Sequence, residues 1–180
     1  MTIVEWIRAF AHDVSVGIVL TDATVERPGP IILYANPAFG RLVARDPVEI
    51  VGQSPRFMQG KETRRETLDV FHRALSTGER FHGYVTNYRG DGAKYRAEID
   101  CRPFRDANGG IQAFVAFERE VVRRVGRPAG TSSGRYEPSS ISNDLLPGAL
   151  WGLGVFATTS NDQPTIQSID KIGLRALGPE

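Results

Sequence analysis

The sequence predicts an α+β fold: a five-stranded antiparallel sheet with helices on one face and an amphipathic helix at its N-terminus. Three observations predict it. Two short apolar runs, 17–22 and 31–34, stand on either side of a Pro/Gly-rich turn. A helical pattern over 61–77 stops at Gly78. Three strand patterns follow, joined by Arg-Gly-Asp-Gly at 89–92 and Asn-Gly at 108–109, both strong hairpin turns.

Taken in order, residues 1–13 read as an amphipathic helix. Ile3, Ile7, Phe10 and Val14 recur at helical spacing, with Glu5, Arg8 and Asp13 elsewhere on the wheel. Trp6 adds apolar surface beside that stripe, so the helix needs a surface to cover, its own sheet or a second subunit. Residues 17–22 form a buried strand, 26–30 a turn, and Ile31–Tyr34 its hairpin partner. Asn36-Pro37 breaks that strand and opens a short helix through Ala38, Phe39 and Leu42; another helical turn covers 46–51. In 61–77, Leu68, Phe71, His72 and Leu75 share one face, and Gly78 is suited to a C-cap. Strands follow at Phe81–Tyr88, Lys94–Arg102 and Ile111–Val122. The middle one alternates strictly, Tyr95, Ala97, Ile99 and Cys101 against Lys94, Arg96, Glu98 and Asp100. A sheet with one apolar face needs something packed against it.

The expected organisation is an N-terminal helix at 1–15, the domain at 16–122, a Gly/Ser/Pro-rich linker at 123–140, and a tail at 141–180, partly disordered or docked. Within the tail, Leu145–Phe156 is the apolar stretch able to dock, and Ile166–Leu177 is a short helix candidate.

Composition narrows the function. Of 180 residues, 41% are apolar and 24% charged, the balance of a soluble globular chain. A net charge of +1 gives no electrostatic footprint for nucleic acid or an acidic membrane. Leu145–Phe156 is interrupted by Pro147 and three glycines and is too short to cross a bilayer. The single cysteine, Cys101, and an N-terminus without a basic leader point to a cytoplasmic protein. His12, His72 and His82 show no metal-ligand spacing, and no catalytic constellation is present, so the expectation is a non-enzyme.

Five strings carry a family resemblance: Ile18-Val19-Leu20-Thr21-Asp22, Tyr34-Ala35-Asn36-Pro37-Ala38-Phe39, Gly52-Gln53-Ser54-Pro55-Arg56-Phe57-Met58-Gln59-Gly60, Asn87-Tyr88-Arg89-Gly90-Asp91-Gly92, and Pro103-Phe104-Arg105-Asp106. In this order they resemble LOV domains, the flavin-binding blue-light branch of the PAS superfamily, over about Val16–Val122. The nonapeptide is similar to that family's GxNCRFLQG, with Pro55 where the photoreactive cysteine stands and Ser54 where an asparagine precedes it. The resemblance implies a PAS fold and a sensory, signalling role with FMN as cofactor. It also implies that Arg56 holds the ribityl phosphate, Gln59 the ribityl chain or ring edge, and Asn87 the pyrimidine part of the ring.

The departures define the chemistry. Pro55 cannot attack flavin, so no cysteinyl adduct is expected, and signalling would run through redox or photoreduction. Tyr34, Tyr84, Tyr88, Tyr95 and Trp6 are the candidate electron donors. Ala97 replaces a second ring-binding asparagine, and a lost bond to a buried polar edge costs about 1–3 kcal/mol. His72 aligns approximately with a second phosphate-binding arginine. Glu118 stands at the family's signalling glutamine; it shares a strand face with Phe114 and Ala116. If that face lines the pocket, burial favours the neutral acid, which donates much as glutamine does; if the strand frays after Phe117, Glu118 faces solvent. Ile99 and Cys101 share the pocket face with Ala97, Cys101 as a small buried residue.

Two rival readings stand beside this one. In a cofactor-free interaction domain, Phe57, Met58, Ile99 and Phe114 fill the pocket. In a sensor of another small ligand, haem is ligated by His72. A homodimer through the N-terminal helix and the sheet is expected, with an unidentified downstream signalling protein as partner.

Overall fold

The computed structural model describes residues 2–126, 135–139 and 154–156. The first helix, α1 (Ile3–Ala11), opens on a reciprocal cap. Thr2 Oγ1 accepts from the Glu5 N–H at 3.2 Å, and a Glu5 carboxylate oxygen accepts from the Thr2 N–H at 2.7 Å. Strands β1 (Gly17–Asp22) and β2 (Ile32–Ala35) pair antiparallel, Val19 opposite Ala35. The short helices α2 (Pro37–Val43) and α3 (Pro47–Ile50) and a 3-10 turn at Pro55–Met58 come next. Helix α4 (Arg65–Thr77) then leads into β3 (Phe81–Tyr88), β4 (Lys94–Arg105) and β5 (Ile111–Arg123). The sheet order is β2-β1-β5-β4-β3, so the last of these strands lies at the centre, between β1 and β4.

Two apolar clusters lie on opposite faces of the sheet. The larger joins Val19, Phe39, Ile50, Met58, Phe81, Ile99 and Phe114, with Leu68, Phe71 and Leu75 of α4 packed against it. The Phe71 and Phe81 rings stack at 4.1 Å. The smaller joins Ile7 and Ala11 of α1 to Ile18, Leu20, Ala113 and Phe117. The amphipathic helix therefore covers its own sheet, on the face away from α2–α4, with Trp6 and Phe10 stacked and only partly buried.

One side chain ties these pieces together. Asn36 is fully buried at the head of α2. Its Oδ1 accepts from the backbone N–H groups of Ile18 and Phe39, each at 2.9 Å. Its Nδ2 donates to the carbonyls of Ala11 at 3.0 Å, Val14 at 3.2 Å and Val16 at 2.9 Å. The Asn-Pro pair thus caps α2 with proline at the first helical position, where its missing N–H costs nothing. It also holds the exit of α1 against β1.

Three expectations need correction. The helix expected over 61–77 begins at Arg65, because 60–63 is a turn fixed to β3. There the Thr63 hydroxyl accepts from the Gly60 N–H at 2.9 Å and donates to the Thr86 carbonyl at 2.6 Å. The strand expected over 94–102 continues to Arg105, through an irregularity at Phe104/Arg105. A sixth strand, β6 (Tyr136–Pro138), lies inside the expected linker and pairs with Val121–Arg123 of β5. Its Tyr136 ring packs on Tyr84 at 4.7 Å and beneath the Arg96 guanidinium at 5.4 Å. The helix candidate at Ile166–Leu177 lies outside the described residues.

The polar side of β4 is also covered. Glu98 and Asp100 are 4% and 0% exposed. Asp100 accepts from Arg80 (3.0 and 2.7 Å) and Arg102 (3.0 and 3.1 Å), and also from the Phe156 backbone N–H at 2.7 Å. Arg102 donates to the Gly154 carbonyl at 2.8 Å, and Val155 is buried in the smaller cluster. Glu98 pairs with His82 at 2.9 Å and Arg119 at 2.8 Å, and the Arg119 guanidinium lies 4.2 Å from the Phe156 ring centre. Residues 154–156 therefore dock on the sheet; the rest of Leu145–Phe156, for which the sequence leaves docking and mobility both open, lies outside the described residues.

Candidate functional site

A cavity of about 110 Å³ lies between the sheet and the segment 54–75. On the same scale a single water needs roughly 10–15 Å³, so the core side chains leave room for more than a trapped water. Its floor is the inward face of the sheet, with Val19 and Thr21 from β1, Val85 and Asn87 from β3, Ile99 and Cys101 from β4, and Phe114, Ala116 and Glu118 from β5. The 3-10 turn and its flanks contribute Ser54, Pro55, Arg56, Met58 and Gln59. Helix α4 contributes Leu68, Phe71, His72 and Leu75. Gln59 and His72 are exposed, so the rim reaches the surface on that side.

The local sequence explains the rim. Ser54 is the N-cap of the 3-10 turn and Pro55 its first residue, a position suited to a fixed φ and a missing N–H. Proline is therefore compatible with this backbone while offering no nucleophile. Arg56 is half-buried, and its Nε and Nη2 each approach the Gly29 carbonyl at 3.4 Å. Gly60 closes the nonapeptide because a Cβ there would collide with the Tyr88 ring.

Seven of the eight residues singled out by resemblance line this one cavity: Ser54, Pro55, Arg56, Gln59, Asn87, Ile99 and Glu118. Ala97 does not. It is 0% exposed and packed in the larger cluster, where a methyl group leaves no polar handle. Glu118 does not fray into solvent, since β5 runs on to Arg123 and Glu118 pairs across to Gly17 and Ile99. It is 3% exposed, and its Oε2 has no hydrogen-bond partner among the described residues. Burial pushes its carboxyl pKa up to about 8, so it is predominantly a neutral acid at pH 7. Burial likewise raises the Cys101 thiol, with the nearby Glu118 and Asp100 carboxyls adding to the shift.

Opposite Asn87 in the β3–β4 pair stands Tyr95. The Tyr95 hydroxyl donates to Met58 Sδ at 3.6 Å, and the Asn87 amide donates to the same sulfur at 3.9 Å. Arg89 covers the Tyr95 ring at 4.4 Å. This cluster was not foreseen from sequence, although the register of the Arg-Gly-Asp-Gly hairpin was the available signal. Of the aromatic donor candidates, Trp6 and Tyr34 belong to the opposite face, Tyr84 packs on Tyr136, and Tyr88 accepts from the Glu62 N–H at 3.0 Å. Tyr95 is the one bonded to a residue of the cavity wall. Among the described residues, no group of His, Cys, Asp and Glu is arranged to hold a metal ion. No described helix is long and apolar enough to cross a membrane.

A six-stranded antiparallel sheet, with α2–α4 on one face, α1 on the other and a cavity under α4, defines an α+β module, and comparison with known proteins gives its family. The family model described as PAS domain matches residues 15–122. The chain belongs to the PAS domain family, and within it is a LOV-like domain. Phototropin-2 of Oryza sativa is 33% identical over 128 residues, 71% of this chain and 14% of that protein. The nitrogen fixation regulatory protein of Klebsiella oxytoca is 32% identical over 107 residues, 59% of this chain and 21% of that protein. Among solved structures, an RNA-binding Light-Oxygen-Voltage receptor superposes with a TM-score of 0.59 at 28% identity, covering 64% of this chain and 32% of that one. The light-state LOV domain of Aureochrome1 gives 0.56 at 28% identity, covering 67% and 90%. The chain thus spans only a small part of the curated relatives it matches, 14% and 21% of the two named.

Proposed function

We propose that this chain is a flavin-binding sensory domain that takes FMN in the cavity and signals without a cysteinyl adduct. The observation that carries the reading is Glu118: a buried acid whose Oε2 has no partner among the described residues, on the wall of a cavity that Asn87 also lines. Apolar walls from Val19, Leu68, Ile99 and Phe114 suit a flat ring, while Asn87 and neutral Glu118 suit its polar edge. Arg56 and Gln59, toward the exposed rim, suit an anionic phosphate and a hydroxylated chain. Ser54 and Pro55 shape the turn that carries Arg56, and Ala97 behind the wall supplies no bond.

When bound, flavin would supply blue-light absorption and electron transfer. The protein's own part is to hold the ring, exclude water, and keep a proton on Glu118 for donation to a ring acceptor. Pro55 offers no thiol, so the signal would arise from redox change or photoreduction, with Tyr95 the best-placed aromatic. The chain would act as a sensor rather than an enzyme, in the cytoplasm, passing its state to a partner protein. It would do so as a homodimer through the half-buried Trp6–Phe10 side of α1 and the sheet.

The test is the absorption spectrum of the purified chain, with acid release of any chromophore and titration with FMN. A structured blue band and released FMN support the reading, and Glu118→Gln should then shift that band. A colourless chain that refuses FMN replaces it with a cofactor-free interaction domain.

A further inference from the structure

We propose that Met58 is a reversible oxidation site: its sulfur, held between Tyr95 and Asn87 in the cavity wall, takes one oxygen from a hydroperoxide. The sequence has two methionines, and Met58 is the one in the core. It is 3% exposed, but it lines a cavity whose rim reaches the surface, so a peroxide has a way in without unfolding.

The geometry around the sulfur is unusual for a gap-filling methionine. A thioether is a weak acceptor, yet two buried donors converge on this one, the Tyr95 hydroxyl at 3.6 Å and the Asn87 amide at 3.9 Å. Oxidation converts an apolar side chain into a polar one and ordinarily disrupts a core. Here the new oxygen would meet donors already aimed at it, which offsets the burial of a polar bond. In the step, the sulfur lone pair attacks the outer peroxide oxygen, the O–O bond breaks, and an S–O bond forms. The outer oxygen's proton passes to the departing alkoxide, which leaves as an alcohol, or as water from hydrogen peroxide. Sulfur is oxidised by two electrons and the peroxide is reduced by two. Return requires a thiol-dependent sulfoxide reductase, which releases water and a disulfide.

Cys101 shares the cavity but is the weaker competitor. Thiols react with peroxide as thiolates, and burial keeps Cys101 protonated. A thioether reacts without ionising. The sulfoxide would also engage Asn87 and occupy the polar end of the cavity; this consequence rests on the FMN reading, whereas the oxidation itself does not.

The experiment treats the folded full chain with hydrogen peroxide in the presence of a free methionine peptide, then maps tryptic peptides by mass. The expected result is the gain of one oxygen on the peptide Phe57–Lys61, with unchanged far-UV circular dichroism and no modification at Cys101. Loss of that gain after incubation with a methionine sulfoxide reductase shows reversal. Tyr95→Phe should lower the Tm of the oxidised chain more than that of the reduced chain, which a merely structural tyrosine would not do. The proposal is overturned if Met58 stays reduced while the free peptide is consumed, or is oxidised only once the circular dichroism shows unfolding. Equal Tm losses in both Tyr95→Phe forms overturn the role of the donors. Loss of FMN uptake on oxidation, absent in Met58→Leu, supports the coupling. A chain that never takes FMN leaves the mapping result fully decisive.

Discussion

Asp100 Oδ2 accepts the backbone N–H of Phe156 at 2.7 Å, joining the middle of β4 to a segment 56 residues further on. The same carboxylate is held by Arg80 and Arg102 and is fully buried. Burial acts to raise its pKa, but the Arg80 and Arg102 guanidiniums and the Phe156 N–H outweigh it and hold the carboxyl below its ordinary value. Asp100→Asn should therefore cost up to about 3–5 kcal/mol in urea unfolding, since a fully buried carboxylate gives up its charge pairing with two partly buried guanidiniums. The wild-type contribution should be present above about pH 3.8 and fade as pH falls through the lower folded-state pKa. The variant should lack that acid limb. Unchanged stability would mean that the charge of Asp100 adds nothing net and that 154–156 docks through its other contacts, Val155, the Arg102–Gly154 bond and the Arg119–Phe156 stack.

Asn36 offers a sharper distinction between shape and hydrogen bonding. Asn36→Asp preserves the oxygen facing Ile18 and Phe39 but turns an acceptor toward three carbonyls. Asn36→Ala loses both functions. Each buried group left unpaired costs about 1–3 kcal/mol, so both variants should fall well below wild type in Tm. The isosteric aspartate should be no better than alanine. A near-neutral Asn36→Asp would show that the three carbonyls find other donors.

Glu118 predicts the reverse pH dependence. Its folded-state pKa is raised, so between about 4.5 and 8 the folded state keeps a proton that the unfolded chain has released. Stability should fall as pH rises through that window, by at most about 1.4 kcal/mol per pH unit, and level off above it. Glu118→Gln cannot titrate and should remove the slope. Urea unfolding of the ligand-free chain at pH 5, 6.5 and 8 measures it directly.

Tyr34 is 5% exposed, and its hydroxyl has no partner among the described residues. Tyr34→Phe removes a buried, unsatisfied group and keeps the ring against α1. It should be neutral or stabilising by up to about 1 kcal/mol. A clear loss of Tm would point to a partner for that hydroxyl outside the described residues.

Much of this was written locally. Strand alternation placed Phe114, Ala116 and Glu118 on one wall, Gly78 ended α4, and Asn36-Pro37 opened α2, because each depends on near neighbours. What stayed hidden depends on distant ones. The alternation of β4 put Glu98 and Asp100 on the polar side, but their burial comes from Arg80, Arg119 and Phe156. β6 is three residues long, without an apolar period, and forms because β5 extends beyond its other neighbours. Ala97 shares the inward face of β4 with Ile99 and Cys101, yet only those two reach the cavity. A period of two sets the face but not how far along a strand the cavity extends.

The central position of β5 has a consequence for synthesis. During translation, a nascent chain that has not reached Ile111 can pair β1 with β2 and β3 with β4 only as separate two-stranded pieces. Each has a bare edge where the missing strand belongs. Phe114, Ala116 and Glu118 have not yet been made, so the cavity lacks one wall. Any ligand of the cavity would thus meet a complete wall only in chains already elongated past β5. A truncation ending before that strand should yield insoluble hairpins rather than a smaller sensor.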